Sequence, residues 1–443
     1  MSQGYHLMEA ESSNIFQLLH RLGRIQKKKT NNHDEEDATV TEILLLLEKK
    51  PEVARGQDNC GRTPLHDACS NKTSLDVVSA LLNAWPDAVK QTDDYYDGCT
   101  PLHEACSHKA PLDIVSTLLN MWPDATKQRD NYGYTPLHRA CSHNATLDVV
   151  SALLRVWPDA VKETDNRGQT PLHRACFNKA PIDIVSALMT VWPDAVKVAD
   201  NYGSTPLHDA CSNKAPQNVV SFLLSVWPDA AKQRDYYGCT PLHDACSREA
   251  SVDVVSALLT VWPDAAKQKG NDGRTPLHHA CFHKASLAVV SALLDAWPDA
   301  TKQKDDYNDI PLHLSKSFEV TLLLVNIYLG DKENRRRSCA LMPLKEHRNA
   351  SQTKDQKMLF YCLYNLYNEK MENPSPEEIL RFFIRFGVWN CVAFVLDRYP
   401  TVVKAMDLDI KIMTDFLLMV GRCCGLTTMW KVICNEQDLL NGA

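Results

Sequence analysis

The tetrapeptide Thr-Pro-Leu-His recurs along the chain at a nearly constant interval, and no other feature constrains the fold as strongly. Its copies begin at Thr63, Thr100, Thr135, Thr170, Thr205, Thr240 and Thr275. A degenerate copy, Ile310-Pro311-Leu312-His313, follows in phase. A fixed period of about 35 residues indicates stacked supersecondary units, because one such unit cannot bury its own apolar face. Since 443 residues also exceed what one hydrophobic core supports, the sequence predicts a repeat array.

Each period contains the signals of a turn followed by a short helix. In the unit that begins at Asp130, residues 130–133 (Asp-Asn-Tyr-Gly) predict a turn, since glycine tolerates positive φ. Thr135 is a helix N-cap, Pro136 occupies N1 and His138 falls at N3. We expect the Thr135 hydroxyl to accept from the N3 amide and the His138 imidazole to bond back to the N-cap, as Glu does in a capping box.

The apolar residues of the same unit predict two packed helices. On the first helix, Leu137, Ala140 and Cys141 share one face at spacings i, i+3 and i+4. The second helix begins near Leu147, and its predicted apolar stripe is Leu147, Val150, Leu153, Leu154 and Trp157. Pro158 ends this helix because proline cannot continue the hydrogen-bond pattern.

A second motif, Trp-Pro-Asp-Ala, recurs in phase with the first. Its copies begin at Trp85, Trp122, Trp157, Trp192, Trp227, Trp262 and Trp297. We expect each indole to be largely buried between consecutive units, where ~200 Å² of apolar area contributes up to ~5 kcal/mol. Trp192→Ala should then split the unfolding of the array into two less cooperative halves.

The phased pattern Asp-x-x-Gly-x-Thr-Pro-Leu-His-x-Ala, followed by Val-Val-x-x-Leu-Leu, resembles the ankyrin repeat over residues 57–316. It departs from that repeat between the helices, where Asn-Lys-Ala replaces the usual Gly, and at the exit, where Trp-Pro stands. Lys, as at Lys162 and Lys197, also occupies a position where many ankyrin repeats carry Asn. The resemblance implies an all-α fold, an ankyrin-repeat solenoid of stacked helix-turn-helix units with β-turn fingers along one edge. It also implies a protein-binding scaffold whose concave face presents the finger tips and the first helices.

The chain outside the repeats predicts helical caps, which a solenoid requires at its ends. Phe16 to Leu22 indicates a first cap helix and 39–56 a second, with a polar insertion over 27–37. Further helices are predicted over 318–329 and 358–367, and 391–403 resembles a worn repeat exit. The predicted organisation is N-terminal capping helices over 1–56, tandem repeats over 57–316, a degenerate repeat helix and mobile linker over 317–356, and a C-terminal region of diverged repeats and cap over 357–443.

Histidine and cysteine recur at i, i+3 in every repeat, so a metal site has to be considered. The pairs are His66/Cys69, His103/Cys106, His138/Cys141, His173/Cys176, His208/Cys211, His243/Cys246 and His278/Cys281. Zinc needs four close ligands, whereas packed helices stand roughly 8–10 Å apart. We therefore predict no metal and no cofactor, with Cys acting as a small buried hydrophobe. The vicinal Cys423-Cys424 is assigned to core packing, with a redox role as the alternative.

Catalytic signatures are also missing from the sequence, which contains no Gly-rich phosphate loop, Gly-x-Ser-x-Gly or His-Glu-x-x-His. We predict a non-catalytic protein, and an enzyme within 357–443 is the alternative from another class. The net charge of −7 disfavours nucleic acid and anionic membranes as partners. Because no secretory signal or spanning apolar run is seen, we expect a cytoplasmic or nuclear protein. The basic runs Lys27–Lys29 and Arg335–Arg337 are either nuclear-import signals of a regulatory protein or solvated loops.

The positions that vary between repeats are the candidate contacts with a partner protein. Tyrosines stand at the predicted finger tips: Tyr95, Tyr96, Tyr132, Tyr134, Tyr202, Tyr236, Tyr237 and Tyr307. They are interface anchors or, alternatively, packing between neighbouring fingers. Phe177 and Phe282 replace Ser at the end of the first helix and offer apolar anchors.

The residue after each motif histidine suggests a charge pattern along the array. These residues are Asp67, Glu104, Arg139, Arg174, Asp209, Asp244 and His279. The order acidic, basic, acidic predicts a partner with basic patches on either side of an acidic one, contacted by Arg139 and Arg174. The alternative is scattered surface charge.

Overall fold

The computed structural model describes residues 14–25, 33–93, 97–330, 353–368, 374–399 and 402. These residues are helices joined by turns, with no strand in the described ranges. The chain forms two compact units, residues 1–236 and 237–443. The boundary falls inside a finger, between Tyr236 and Tyr237.

The first unit is a succession of helix pairs. Its helices are α1 (14–25), α2 (His33–Lys49), α3 (Pro64–Ser70), α4 (Leu75–Ala84), α5 (Pro101–Ser107), α6 (Leu112–Met121), α7 (Pro136–Ser142), α8 (Leu147–Val156), α9 (Pro171–Phe177), α10 (Ile182–Val191), α11 (Pro206–Ser212) and α12 (Gln217–Val226). Each pair is followed by one turn of 3₁₀ helix: Pro51–Arg55, Pro86–Lys90, Pro123–Lys127, Pro158–Lys162, Pro193–Lys197 and Pro228–Lys232. The two-helix unit expected from the sequence is therefore present, and the exit after Trp is an additional short helix.

The second unit continues the same pattern and then departs from it. Its helices are α13 (Pro241–Ser247), α14 (Val252–Val261), α15 (Pro276–Phe282), α16 (Leu287–Ala296), α17 (Pro311–Leu314), α18 (Phe318–Gly330), α19 (Lys354–Asn368), α20 (Pro376–Arg385) and α21 (Trp389–Arg398). The 3₁₀ turns are Pro263–Lys267 and Pro298–Lys302. Helix α18 packs on α21, where the Asn390 side chain donates to the backbone oxygen of Asn326 at 2.7 Å.

The ends of the chain differ in detail from the sequence-based expectations. Helix α2 begins at His33, so part of the polar insertion predicted over 27–37 is helical. Helix α20 was not predicted, although Ser375 and Glu378 form the capping box that its Ser-x-x-Glu sequence encodes. The runs 27–29 and 335–337, the pair Cys423-Cys424 and most of the predicted linker lie outside the described residues. No helix in the described part of the chain is long and apolar enough to cross a membrane.

The second helices bury a broader face than the predicted stripe. In α8, Val149, Val150, Leu153 and Leu154 are buried. Leu147 is exposed, contrary to the prediction, because it is the first helical residue and lies beyond the packed turn. The buried face combines two adjacent rows of side chains, which suits a helix that packs against its own partner and against both neighbours.

The motif tryptophans are intermediate in exposure, so most of the surface of each residue is buried, in agreement with the prediction of largely buried indoles. Trp192 caps the C-terminus of α10 in an extended conformation and is intermediate in exposure, like the other six. The following 3₁₀ turn places Ala195 and Val196 in the core. The stabilisation from Trp192 is accordingly smaller than the ~5 kcal/mol of a fully buried indole.

The fingers are joined edge to edge by backbone hydrogen bonds. In the first unit Asn166 donates to the carbonyl of Tyr132, and Asn201 donates to that of Arg167, at 3.0 and 2.9 Å. Within each finger an aspartate carboxylate accepts two backbone amides, as Asp165 does from Arg167 and Gln169 at 2.8 Å each. The glycine of the turn has positive φ, for example 79° at Gly133, and a Cβ there would meet the Asn166 backbone at 2.9 Å. The fingers are therefore fixed in position relative to their neighbours within the unit.

Candidate functional site

The motif histidines are structural and connect each repeat to the next. The backbone amide of Thr135 donates to Nδ1 of His138 at 3.2 Å, as the predicted capping box requires. Because Nδ1 accepts, Nε2 carries the proton, and it donates to the carbonyl of Gln169 in the following repeat at 3.0 Å. Burial lowers the pKa of His138 to about 3. A neutral imidazole with both nitrogens occupied is unsuited to bind a metal or to move protons at neutral pH.

The motif cysteines are small core side chains. Cys141 is fully buried, and burial raises the pKa of its thiol to about 12. Among the described residues, one group of side chains could hold a metal ion, formed by Asp93, Cys99 and Glu104, whose ligand atoms lie within 4.8 Å of one another. Asp93 Oδ1 already accepts from the backbone amides of Gly98 and Cys99, and burial raises the pKa of the Cys99 thiol. The Asp93 carboxylate therefore already binds the backbone of its own finger.

The acidic residues that follow the first two motif histidines are compensated within the protein. Glu104 contacts the hydroxyl of Ser70, the guanidinium of Arg62 and the imidazole of His108. Burial of Glu104 favours its neutral form, but the hydrogen bonds from His108 and Ser70 outweigh this effect and lower its pKa to about 2. Asp67 is buried and pairs with Arg62 Nη1 at 3.1 Å. Neither carboxylate is a free surface charge.

Arg139 is also neutralised internally. Its Nε donates to Oδ2 of the buried Asp130 at 2.6 Å, and its Nη2 lies 2.8 Å from Oδ2 of Asp97 in the preceding finger. Only 9% of the residue is exposed. Its guanidinium therefore holds two fingers together and presents little charge at the surface.

Arg174, the equivalent residue one repeat later, is bonded differently. Its Nε donates to Ser142 Oγ at 3.0 Å and its Nη1 to Gln169 Oε1 at 3.2 Å. Both acceptors are uncharged, and no carboxylate in the described part of the chain lies within ion-pair distance of this guanidinium. Its centre is 5.1 Å from the ring centroid of Tyr134 and 5.2 Å from that of Phe177. The cation therefore contacts two aromatic rings and two neutral acceptors.

The predicted tyrosines of this region form a cluster around the two arginines. Tyr132 is 54% exposed at the tip of its finger, whereas Tyr134 is partly buried and stacks on His138, with ring centroids 5.9 Å apart. Tyr134 lies between Arg139 and Arg174, so it is a packing residue as well as a candidate contact. Phe177 is 41% exposed at the end of α9. We name this group, formed by Tyr132, Tyr134, Arg167, Arg174 and Phe177, the Tyr-Arg cluster.

An open cavity of about 170 Å³ adjoins the Tyr-Arg cluster. Its lining residues are Tyr132, Tyr134, Arg139, Asp165, Asn166 and Arg167. Asp165 is 6% exposed, and its Oδ2 has no hydrogen-bond partner. Burial raises the pKa of Asp165, against the effect of the two backbone amides on its Oδ1. Arg167, at the finger tip, is exposed, and its side chain makes no ion pair within the described ranges.

The remaining predicted contact residues lie away from this cluster. Tyr202 and Tyr236 are exposed at later fingers of the first unit, and Tyr237 and Tyr307 are exposed in the second. Phe282 is partly buried in the second unit, where Lys316 Nζ lies 3.6 Å from its ring centroid. Tyr95 and Tyr96 lie outside the described residues. The structure brings Tyr132, Tyr134, Arg139, Arg174 and Phe177 together, with Arg139 turned inward.

Two features of the first unit were missed by the sequence analysis. Arg167 was not singled out, although it stands at a finger tip one residue before the turn glycine. An exposed apolar row also runs along the ends of the second helices, formed by Met121, Val156, Val191 and Val226. The residues precede the motif tryptophans at a constant spacing, a regularity that could have identified the row.

The described residues form a helical repeat protein whose fingers and first helices carry exposed aromatic and charged side chains. A family model described as ankyrin repeats (3 copies) matches overlapping windows that together span residues 31–306, more than half of the chain. The chain therefore belongs to the ankyrin-repeat family.

Solved structures with a similar fold include the ankyrin repeat domain of Bcl-3, titled a unique member of the IkappaB protein family. The two share 27% identity with a TM-score of 0.42, over 52% of this chain and all of that one. The human ASB11 ankyrin repeat domain has 23% identity and a TM-score of 0.44, over 53% of this chain and 98% of that one. A search among curated proteins gives no match.

Proposed function

We propose that this protein is a non-catalytic scaffold or adaptor, and that it binds a partner protein through the fingers and first helices of residues 57–236. The central contacts are Tyr132 and Phe177. Ankyrin repeats typically act as protein-interaction modules, but a fold alone does not assign a surface. The choice of surface rests on the Tyr-Arg cluster.

The observation that carries the proposal is the exposure of two aromatic side chains on a rigid support. Tyr132 is 54% and Phe177 is 41% exposed, and the fingers beside them are joined by backbone hydrogen bonds. Exposed aromatic residues that are already ordered gain contact area on binding at small entropic cost. Arg174 packs against Tyr134 and Phe177 and so orders the cluster before a partner arrives.

The test is site-specific photo-crosslinking with the full chain in cells that express it. A photoreactive phenylalanine analogue is placed at 132 or 177, with position 148 on α8 as the matched control because Asp148 is exposed on a second helix. We expect a discrete crosslinked protein from 132 and 177 and none from 148. The same adduct from 148 alone would place the interface on the second helices and reject the proposal.

A further inference from the structure

We propose that the Tyr-Arg cluster binds an acidic segment of the partner protein, with Arg167 and Arg174 holding its carboxylates. The inference rests on the proposed function, because it names the class of partner for the same surface.

Arg139 and Arg174 occupy the same position of successive repeats, and each has a finger aspartate nine residues earlier. Arg139 binds its aspartate, Asp130, and also Asp97. Arg174 instead bonds to the neutral oxygens of Ser142 and Gln169. The internal carboxylates therefore pair with the first guanidinium, whereas no carboxylate among the described residues lies within ion-pair distance of the second.

The rings beside Arg174 orient its free donors. Tyr134 and Phe177 lie within 5.2 Å of the guanidinium centre and restrict its rotamers. Because Nε and Nη1 are already used inside the protein, the remaining N–H groups are those available to a ligand. A carboxylate matches the planar arrangement of these donors. Because the side chain of Arg174 is already held, it loses little conformational entropy when it binds a carboxylate.

Arg167 supplies a second cation at the same site. It lines the cavity together with Tyr132 and Tyr134, and its side chain makes no ion pair with any described residue. The neighbouring acidic positions Asp67 and Glu104 both contact Arg62, and Glu104 also contacts His108. Arg167 and Arg174 are thus two cations on neighbouring segments that have no ion pair among the described residues, even though the whole chain has a net charge of −7.

Asp165 explains why the ligand is a peptide and not a simple polyanion. Its buried Oδ2 accepts no hydrogen bond, which leaves an acceptor at the cavity wall that needs a donor. A peptide can supply a backbone N–H to Asp165 while its side-chain carboxylate pairs with Arg167 or Arg174. A chain of phosphates would bring negative charge beside Asp165 without a donor.

The experiment is a selection of phage-displayed random 12-residue peptides on the full chain, with counter-selection on the double variant Arg167→Gln/Arg174→Gln. The enriched peptides are then synthesised and titrated by fluorescence anisotropy. We expect them to contain Asp or Glu beside an apolar residue. Replacing those acids by Asn or Gln should weaken binding at least tenfold, and raising the salt concentration should weaken it further.

Single variants assign the effect to the two arginines. Arg174→Gln and Arg167→Gln should each weaken the best peptide about tenfold without changing the melting temperature by more than a few degrees. Arg155→Gln is the matched control, because Arg155 is exposed on α8 and has no ion pair in the described part of the chain. It should change the affinity less than twofold. A single-stranded 20-nucleotide oligomer serves as the polyanion control and should bind more weakly than the peptide.

The possible failures are distinguishable. Enriched peptides without acids, acidic peptides that bind the double variant equally well, no enrichment over that variant, or tighter binding of the oligonucleotide would each overturn the inference. If Tyr132→Ala and Phe177→Ala weaken the peptides while the arginine variants do not, the surface is correct and the acidic partner is wrong. If neither set of variants matters, the proposed function fails as well.

Discussion

Arg139 Nε donates to Asp130 Oδ2 at 2.6 Å, and the carboxylate side chain of Asp130 is completely buried. Removal of the guanidinium takes away the cation that Asp130 and Asp97 share. A buried charge that loses its partner typically lowers the free energy of unfolding by about 3 kcal/mol or more. We expect Arg139→Gln to lower the free energy of unfolding by about that amount, measured by urea denaturation.

Arg174→Gln is the internal comparison for this prediction. The residue has the same sequence position but pairs with neutral oxygens, so its removal should cost about 1 kcal/mol or less. Equal destabilisation by the two substitutions would contradict the assignment of Arg139 to structure and Arg174 to recognition.

The exposed aromatic residues of the first unit should dominate the affinity for the partner. Truncation of a central anchor typically costs about 2 kcal/mol, or roughly thirtyfold in affinity. We expect Tyr132→Ala and Phe177→Ala to have this effect on the protein recovered by crosslinking, with Tyr202→Ala affecting it if the interface extends along the fingers. The measurement is calorimetric titration.

Stability and second-helix controls accompany those variants. Because Tyr132 and Phe177 are exposed, their removal should change the melting temperature only slightly. Asp148→Ala and Val191→Ala, on second helices, should leave the affinity unchanged. Loss of binding in the second-helix variants with none in the aromatic ones would transfer the interface to the exposed apolar row.

Acidification should destabilise the fold before the carboxylates titrate. Burial lowers the pKa of His103, His173 and His278 to about 4 and that of His138 to about 3, below the ordinary value of 6.5. Between pH 6.5 and the lowered pKa values of the folded state, the unfolded chain binds more protons than the folded one. The contribution of these neutral histidines to the free energy of unfolding is therefore fully present above pH 6.5 and is lost as the pH falls. Between pH 7 and pH 5 a single such histidine lowers the free energy of unfolding by about 2 kcal/mol.

The measurement is urea denaturation at pH 7.5, 6.5, 5.5 and 5.0. The upper part of this range separates the histidines from ordinary carboxylates, which titrate near pH 4. Stability that does not change between pH 7 and pH 5 would show that the imidazoles are not held in their neutral form.

The loop between the two helices of each repeat stores backbone strain. Lys179 has a φ of 58°, in the left-handed region, and the equivalent residue in other repeats is also not glycine. A Cβ in this conformation destabilises the folded state by roughly 1–2 kcal/mol. Glycine removes this strain, but its greater conformational freedom stabilises the unfolded chain and offsets part of the gain. We expect Lys179→Gly to raise the free energy of unfolding by about 0.5–1 kcal/mol. Lys179→Ala, which keeps the Cβ, should give no comparable gain.

The sequence by itself determined the repeat unit, because its signals are local. Thr135, Pro136 and His138 specify a capped helix within four positions, and Gly133 specifies a turn with positive φ. The period of 35 residues then requires these units to stack. The family, the helix pairs and the buried face of Leu137 and Cys141 follow from residues that are neighbours in the chain.

Tertiary structure alone decided which side chains remain available. The sequence assigns Arg139 and Arg174 the same role, but Asp97 and Ser142 approach them from the preceding repeat, and only Arg139 meets carboxylates. Charge compensation between repeats depends on residues that lie 32 to 42 positions apart, so no local pattern records it.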